Sequence, residues 1–122
     1  NERAEGCASF YFGSPRGHSS ITGELLSGYI QREIVARTPL QNCRNHARTW
    51  DVLRLTSMPT VEIVVGYLSN PHDTAVLVDP NYRDVITEAM LIAVKRLYLA
   101  DNDDQPTGTF TFSELLELES QG

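Results

Sequence analysis

Cysteine is scarce in this chain. Cys7 and Cys43 are the only two among 122 residues, too few for the disulfide framework that small secreted domains need. Reduced thiols are the expectation, with a single disulfide between them as the alternative. Long apolar runs are missing too. None approaches the roughly 20 residues that span a bilayer, so no membrane span is expected. Lys and Arg number 10 against 16 Asp and Glu, a net charge of −6. The basic residues form no stripe, which argues against a nucleic-acid partner. No secretory leader is read at the start, but Asn1 is not a native first residue, and a leader or domain ahead of it stays open. There is no internal repeat.

What is present is one domain's worth of chain with an ordinary apolar fraction, 41%, enough for a single core. Residues 7–12 read as a short strand ending at Gly13. Ser19 or Ser20 caps a helix whose stripe of Leu26, Ile30 and Ile34, with Leu25 and Tyr29 beside it, runs to about Arg37. Thr38-Pro39 ends it. Residues 40–49, carrying Arg44, His46 and Arg48, read as a polar loop, and residues 50–55 as a second short strand. Asn70 caps a short helix or turn that opens on Pro71. Beyond Asp79-Pro80, the spacing of Tyr82, Val85, Ile86, Ala89, Ala93 and Leu97 predicts a long amphipathic helix to about Leu99. Residues 101–108 form an acidic linker. In the tail, Phe110 and Phe112 alternate with threonines as in an extended segment. Ser113 caps a short acidic helix with Leu115, Leu116 and Leu118. The tail is expected to pack back on the domain, with docking to a partner as the alternative.

The chain is organised around Met58-Pro-Thr-Val-Glu-Ile-Val-Val-Gly-Tyr-Leu-Ser-Asn70. Pro59 cannot donate to a ladder and belongs at a strand's start. Residues 61–65 are β-branched apart from Glu62, and Gly66 permits a turn. Thr60, Glu62 and Val64 share one strand face. Glu62 fits an exposed face near a sheet edge. The sharper readings are a site carboxylate or a buried pair with an arginine. Cys43-Arg-Asn-His46 has a metal-like spacing but lacks a second pair of ligands nearby.

Together with Trp50-Asp-Val-Leu-Arg54, the 58–70 motif resembles the C-terminal half of the zinc-dependent N-acetylmuramoyl-L-alanine amidases. These enzymes cleave the bond between muramic acid and the first alanine of peptidoglycan. The resemblance covers roughly residues 5 to 100. It implies a three-layer α/β amidase-like fold with a mostly parallel sheet. This chain would hold only the C-terminal part: about three strands, two main helices and a short C-terminal helix. Residues 1–100 would be that half-domain, and residues 101–122 an acidic linker and tail.

In the family, a glutamate two residues before the Gly-Phe/Tyr step is the acid/base beside the metal-bound water. The matching position is Val64, and valine accepts no proton. Glu62 lies about 7 Å further back on the same strand face. Proton transfer needs hydrogen-bond reach, so Glu62 is only a weak substitute, and no residue is assigned as catalytic. Arg54, in the matched Val-Leu-Arg segment, is a weak candidate for binding substrate. Its plainer role is pairing with Glu62 or Asp51. The family's His, Glu and His zinc ligands all precede the segment matching residues 7–13, so His18, His46 and His72 are not those ligands by position. Zinc is thus implied for the family, and no metal or cofactor is expected from this segment alone.

Phe10-Tyr-Phe-Gly13, Lys95-Arg-Leu-Tyr-Leu99 and Pro106-Thr-Gly-Thr-Phe-Thr-Phe112 are similar to an actinobacterial branch of the family. That branch lacks a secretion signal and is thought to regulate peptidoglycan precursor synthesis in the cytoplasm. Three functions follow. One is a catalytically degenerate, regulatory amidase domain in the cytoplasm. The second is a zinc hydrolase whose ligands lie upstream, exported if a leader is also there. The third is a structural segment without activity. In each case the segment should pair with the missing N-terminal half, another copy or a protein partner. Peptidoglycan or its precursor enzymes are the expected associates.

Overall fold

The computed structural model describes residues 4–14, 17–54, 58–99, 109 and 111–121. The elements are β1 (Cys7–Phe12), α1 (Ile21–Arg37), β2 (Asn42–Arg48), α2 (Asp51–Arg54), β3 (Val61–Val64), α3 (Pro71–Leu77), α4 (Pro80–Tyr98) and α5 (Phe112–Gln121). The three strands form one α/β sheet in the order β2-β1-β3. It is mixed: β1 runs parallel to β2 and antiparallel to β3.

Local chemistry explains most of the boundaries. The Ser20 hydroxyl accepts from the Gly23 N–H at 2.9 Å and starts α1. Asn70 Oδ1 accepts from the Asp73 N–H at 3.0 Å and starts α3, with Pro71 at its first position. Asp79 does the same for α4, ahead of Pro80. Ile30 and Ile34 of α1 pack against Ile86, Ala89 and Ala93 of α4, with Cys7, Leu40 and Val76 completing the core. The small side chains at Ala89 and Ala93 let the two long helices approach closely. Gln31 ties α1 to the sheet: its Nε2 donates to the Cys7 carbonyl at 2.6 Å and to Asn42 Oδ1 at 2.8 Å. Ser9 Oγ donates to Gln31 Oε1 at 2.8 Å.

Three local expectations are corrected. Residues 40–49 are not a polar loop, since most of that stretch is β2. The strand has polar side chains on both faces because it lies at the sheet's edge. It also bulges: Cys7 pairs with Asn42, and Ser9 with Asn45. The extra residue, Arg44, takes φ 66°, and Asn42 Oδ1 accepts from its N–H at 2.9 Å. Residues 51–54 are the short helix α2 rather than a strand. Leu53 is buried there while Asp51, Val52 and Arg54 are exposed, a one-sided pattern that suits a helical turn. In the tail, Thr111 rather than Ser113 caps α5. Its Oγ1 accepts from the Glu114 N–H at 3.1 Å, and Glu114 Oε2 accepts from the Thr111 N–H at 3.3 Å, a reciprocal capping box. Phe112 is therefore helical rather than extended. The linker 101–108 and Phe110 lie outside the described residues.

The tail packs back on the domain. Leu115 is fully buried, and Glu88 of α4 accepts from the Phe112 N–H at 3.3 Å. Both cysteines are free thiols. No helix among the described residues is long and apolar enough to cross a membrane.

Candidate functional site

Val64 and Glu62 lie on β3, an edge strand. Val64 sits opposite Ala8 and Glu62 opposite Phe10. Val64 is half-buried and Glu62 exposed, as an edge strand allows. Across the sheet from Glu62, Phe10 also pairs with His46 of β2. The Trp50 ring lies 4.8 Å from Phe10. The Arg48 guanidinium lies over Phe10 at 5.3 Å and over Trp50 at 5.8 Å, within cation–π range. This aromatic and cationic face was not anticipated from the sequence, because its strand read as loop.

Arg54 is held elsewhere. Its Nη2 donates to Asp51 Oδ1 at 2.8 Å, and both side chains are more than half exposed. It lines an open hollow of about 310 Å³ with Phe12, Ser20, Met58 and Thr60. That hollow lies at the C-terminal end of β1, whereas Val64 pairs near its N-terminal end. Four residues of strand, about 13 Å, separate Ala8 from Phe12, so Arg54 and Val64 are not brought to one site.

The histidines do not converge either. His46 Nε2 contacts the Cys43 carbonyl at 2.5 Å. Cys43 Sγ instead donates to the Glu5 carbonyl at 3.0 Å, so Cys43 and His46 do not act as a ligand pair. Among the described residues, one group of three acidic, histidine or cysteine side chains converges: Glu5, His72 and Asp73. It contains a single histidine. The described residues therefore do not fit the two-histidine zinc centre that the resemblance implies for the family.

Asp73 is the node the sequence reading missed. It is fully buried in the first turn of α3. Its Oδ2 accepts from the Gly6 N–H at 2.8 Å and the Tyr67 N–H at 3.0 Å. It thereby joins the start of β1, the turn after β3 and helix α3. Gly66 turns beside it with φ 145°, where a Cβ would lie 3.3 Å from that of Asp73. The Asn70-Pro-His-Asp73 spacing marks Asp73 only as an acid in a helix's first turn, whereas its partners Gly6 and Tyr67 are brought to it by the tertiary fold. Nearby, burial pushes the Cys7 thiol up to about 12, with Cys43 and Asp73 adding to the rise. Burial also raises Cys43, aided by Asp73 and Glu5. Neither cysteine is thus an activated nucleophile.

The profile of the N-acetylmuramoyl-L-alanine amidase family, Amidase_3, matches residues 1–96. The N-acetylmuramoyl-L-alanine amidase CwlM of Mycobacterium tuberculosis is 58% identical over 116 residues, which cover 95% of this chain and 29% of CwlM. The germination-specific N-acetylmuramoyl-L-alanine amidase of Bacillus subtilis is 28% identical over 109 residues, 87% of this chain and 43% of that protein. Among solved structures, an N-acetylmuramoyl-L-alanine amidase from Clostridium difficile 630 superposes with a TM-score of 0.70 at 21% identity, covering 84% of this chain and 52% of its own. The CwlD amidase from Clostridioides difficile, in complex with the GerS lipoprotein, gives 0.66 at 25% identity, covering 82% and 49%. The chain thus spans less than half the length of the curated relatives and about half that of the solved amidases. The chain belongs to the N-acetylmuramoyl-L-alanine amidase family.

Proposed function

We propose that this chain is part of a catalytically degenerate amidase domain that regulates peptidoglycan precursor synthesis in the cytoplasm. Val64 carries this reading. It stands on β3 where the family motif has its acid/base, and an isopropyl group neither takes nor gives a proton. Glu62 does not replace it, being exposed and paired in register with Phe10 rather than Ala8. Loss of a general acid/base commonly costs 10²–10⁴-fold in rate. The 58% identity to CwlM supports a placement in that branch of the family.

Partner binding fits the sheet. Among the described residues, β2 and β3 each pair only with β1, leaving ladder groups on their outer edges for another segment or protein. CwlD in complex with the lipoprotein GerS is a precedent for this fold engaging a protein. A second reading is a zinc-dependent hydrolase whose ligands lie upstream. It draws on the chain's coverage of only about half of each solved amidase.

The test is peptidoglycan hydrolysis by the full-length protein with added zinc, comparing the natural sequence with Val64→Glu. A silent natural protein is the expected result. Activity gained by the glutamate would locate the defect at residue 64. Release of muramoyl-linked peptides by the natural protein, stopped by a chelator, would overturn the degenerate reading.

A further inference from the structure

We infer that Glu5, His72 and Asp73 form a binding site for a divalent transition-metal ion, separate from the zinc ligands that the family motif places ahead of β1. Their ligand atoms all lie within 4.8 Å of one another. His72 Nδ1 is 3.5 Å from Glu5 Oε1 and 3.8 Å from Asp73 Oδ1. Two donors each bound to a tetrahedral ion at ordinary Zn–N and Zn–O lengths are about 3.4 Å apart. Closing these two spacings around an ion therefore takes shifts of only tenths of an ångström, within the reach of the two partly exposed side chains.

The independent sign is the second oxygen of Asp73. Oδ2 is engaged by two backbone N–H groups, but Oδ1 is buried without a hydrogen-bond partner among the described residues. His72 Nδ1 faces it at 3.8 Å, too far for a hydrogen bond. A buried carboxylate oxygen left unpaired is expensive, and an ion would occupy its open lone pairs. The Gly6 and Tyr67 N–H groups fix the carboxylate from behind, as outer partners of metal ligands do. Two carboxylates and a neutral imidazole balance a double positive charge. One imidazole among oxygen donors favours zinc, cobalt or nickel over magnesium or calcium. His72 is 50% exposed and Glu5 37%, leaving an entry path and room for water to complete the coordination. The Cys43 thiol turns to the Glu5 carbonyl, anchoring that residue's backbone without joining the ligands. A bound ion would clamp the segment ahead of β1 onto α3.

The test uses the full-length protein stripped with a chelator and titrated with Co²⁺ and Zn²⁺, beside His72→Ala and Glu5→Gln. Both substitutions fall on partly exposed side chains, whereas Asp73 is spared because it holds the fold. The expected result is one fewer equivalent of Co²⁺ per chain in His72→Ala. Glu5→Gln should bind that equivalent at least tenfold more weakly. The visible Co²⁺ bands should change with His72→Ala, and metal should raise the melting temperature more in the unsubstituted protein than in either variant. Equal stoichiometry, affinity and spectra in all three would overturn the site and leave a simple His72–Glu5 ion pair.

Discussion

Asp73 Oδ2 and the Gly6 nitrogen are 2.8 Å apart, although 67 positions separate the two residues along the chain. The Tyr67 nitrogen reaches the same oxygen at 3.0 Å. Asp73→Ala would leave the buried Gly6 donor and the part-buried Tyr67 donor without their acceptor, each worth up to about 1–3 kcal/mol when left unsatisfied. A loss of about 2–4 kcal/mol in urea unfolding is expected. Asp73→Asn, which keeps one acceptor, should lose less. A change below about 1 kcal/mol in the alanine variant would mean that water replaces the clasp.

Glu33 stands between two arginines. Its Oε1 lies 2.6 Å from Arg96 Nε, and its Oε2 pairs with Arg37 Nη1. The Glu33 and Arg96 side chains are both essentially buried. Removing one partner from a buried pair leaves an uncompensated charge, at about 3–5 kcal/mol. Glu33→Leu should destabilise toward that scale, and Arg96→Leu less, because Arg37 still pairs with Glu33 when Arg96 is gone. The double substitution should cost clearly less than the two together, because the two side chains share one contact and their losses overlap. Additive losses in the double-mutant cycle would show that the pair carries no coupling.

The Cys7 thiol gives the fold an alkaline limit. Its pKa rises from 9.0 to about 12 on burial, with further contributions from Cys43 and Asp73. A group whose folded pKa exceeds its unfolded value keeps its stabilisation below the unfolded value and loses it as pH climbs toward the folded one. Stability should therefore hold below pH 9 and fall by on the order of 2 kcal/mol by pH 11. Cys7→Ala should flatten that slope relative to the natural protein, read from urea midpoints across this range. An unchanged slope would mean that other groups set it.

Helix α5 hangs on Leu115, which is fully buried against the rest of the molecule, and on the Phe112–Glu88 bond. Leu115→Ala removes the fully buried apolar anchor among the described residues of α5, a change worth about 2–5 kcal/mol in a core that cannot relax. A ten-residue helix is marginal alone. Hydrogen exchange should therefore show α5 amides losing protection while those of α1 and β1 keep theirs. Equal loss across all three would make the tail part of the global folding unit.

What could be read from the sequence depended on whether the signal was local. Asn70-Pro71 announces α3 because capping chemistry acts within a few residues, and the apolar spacing from Tyr82 to Leu97 announces α4. The 3.6-residue spacing of Ile30, Ile34, Ile86 and Ala93 exposes the core faces. β2 was obscure because an edge strand needs no apolar face and its bulge at Arg44 breaks the alternation. α2 was obscure because four residues are too few to show a period. At the candidate site, Val64 was found only through the order of motif residues. The aromatic face over Phe10 depended on finding β2. Asp73 looked like an ordinary acid in a helix's first turn, since its partners at Gly6 and Tyr67 are set by the tertiary fold. The Glu33–Arg96 pair likewise leaves no trace in local sequence.

The pairing of α1 with α4 sets a timetable for synthesis. β1, α1 and β2 are contiguous, and β1 can find β2 once Arg48 has left the ribosome. The stripe of Ile30 and Ile34 meets Cys7 and Leu40 early, but its partners on α4, Ile86, Ala89 and Ala93, come much later in the chain. At ribosomal rates of about 5–20 residues per second, the interval from Ile30 to Ala93 lasts roughly 3–13 s. For those seconds the α4-facing side of the isoleucine seam waits for its partners. A stall before α4 would prolong that exposure, and transiently exposed apolar surface is what favours misassembly in a nascent chain.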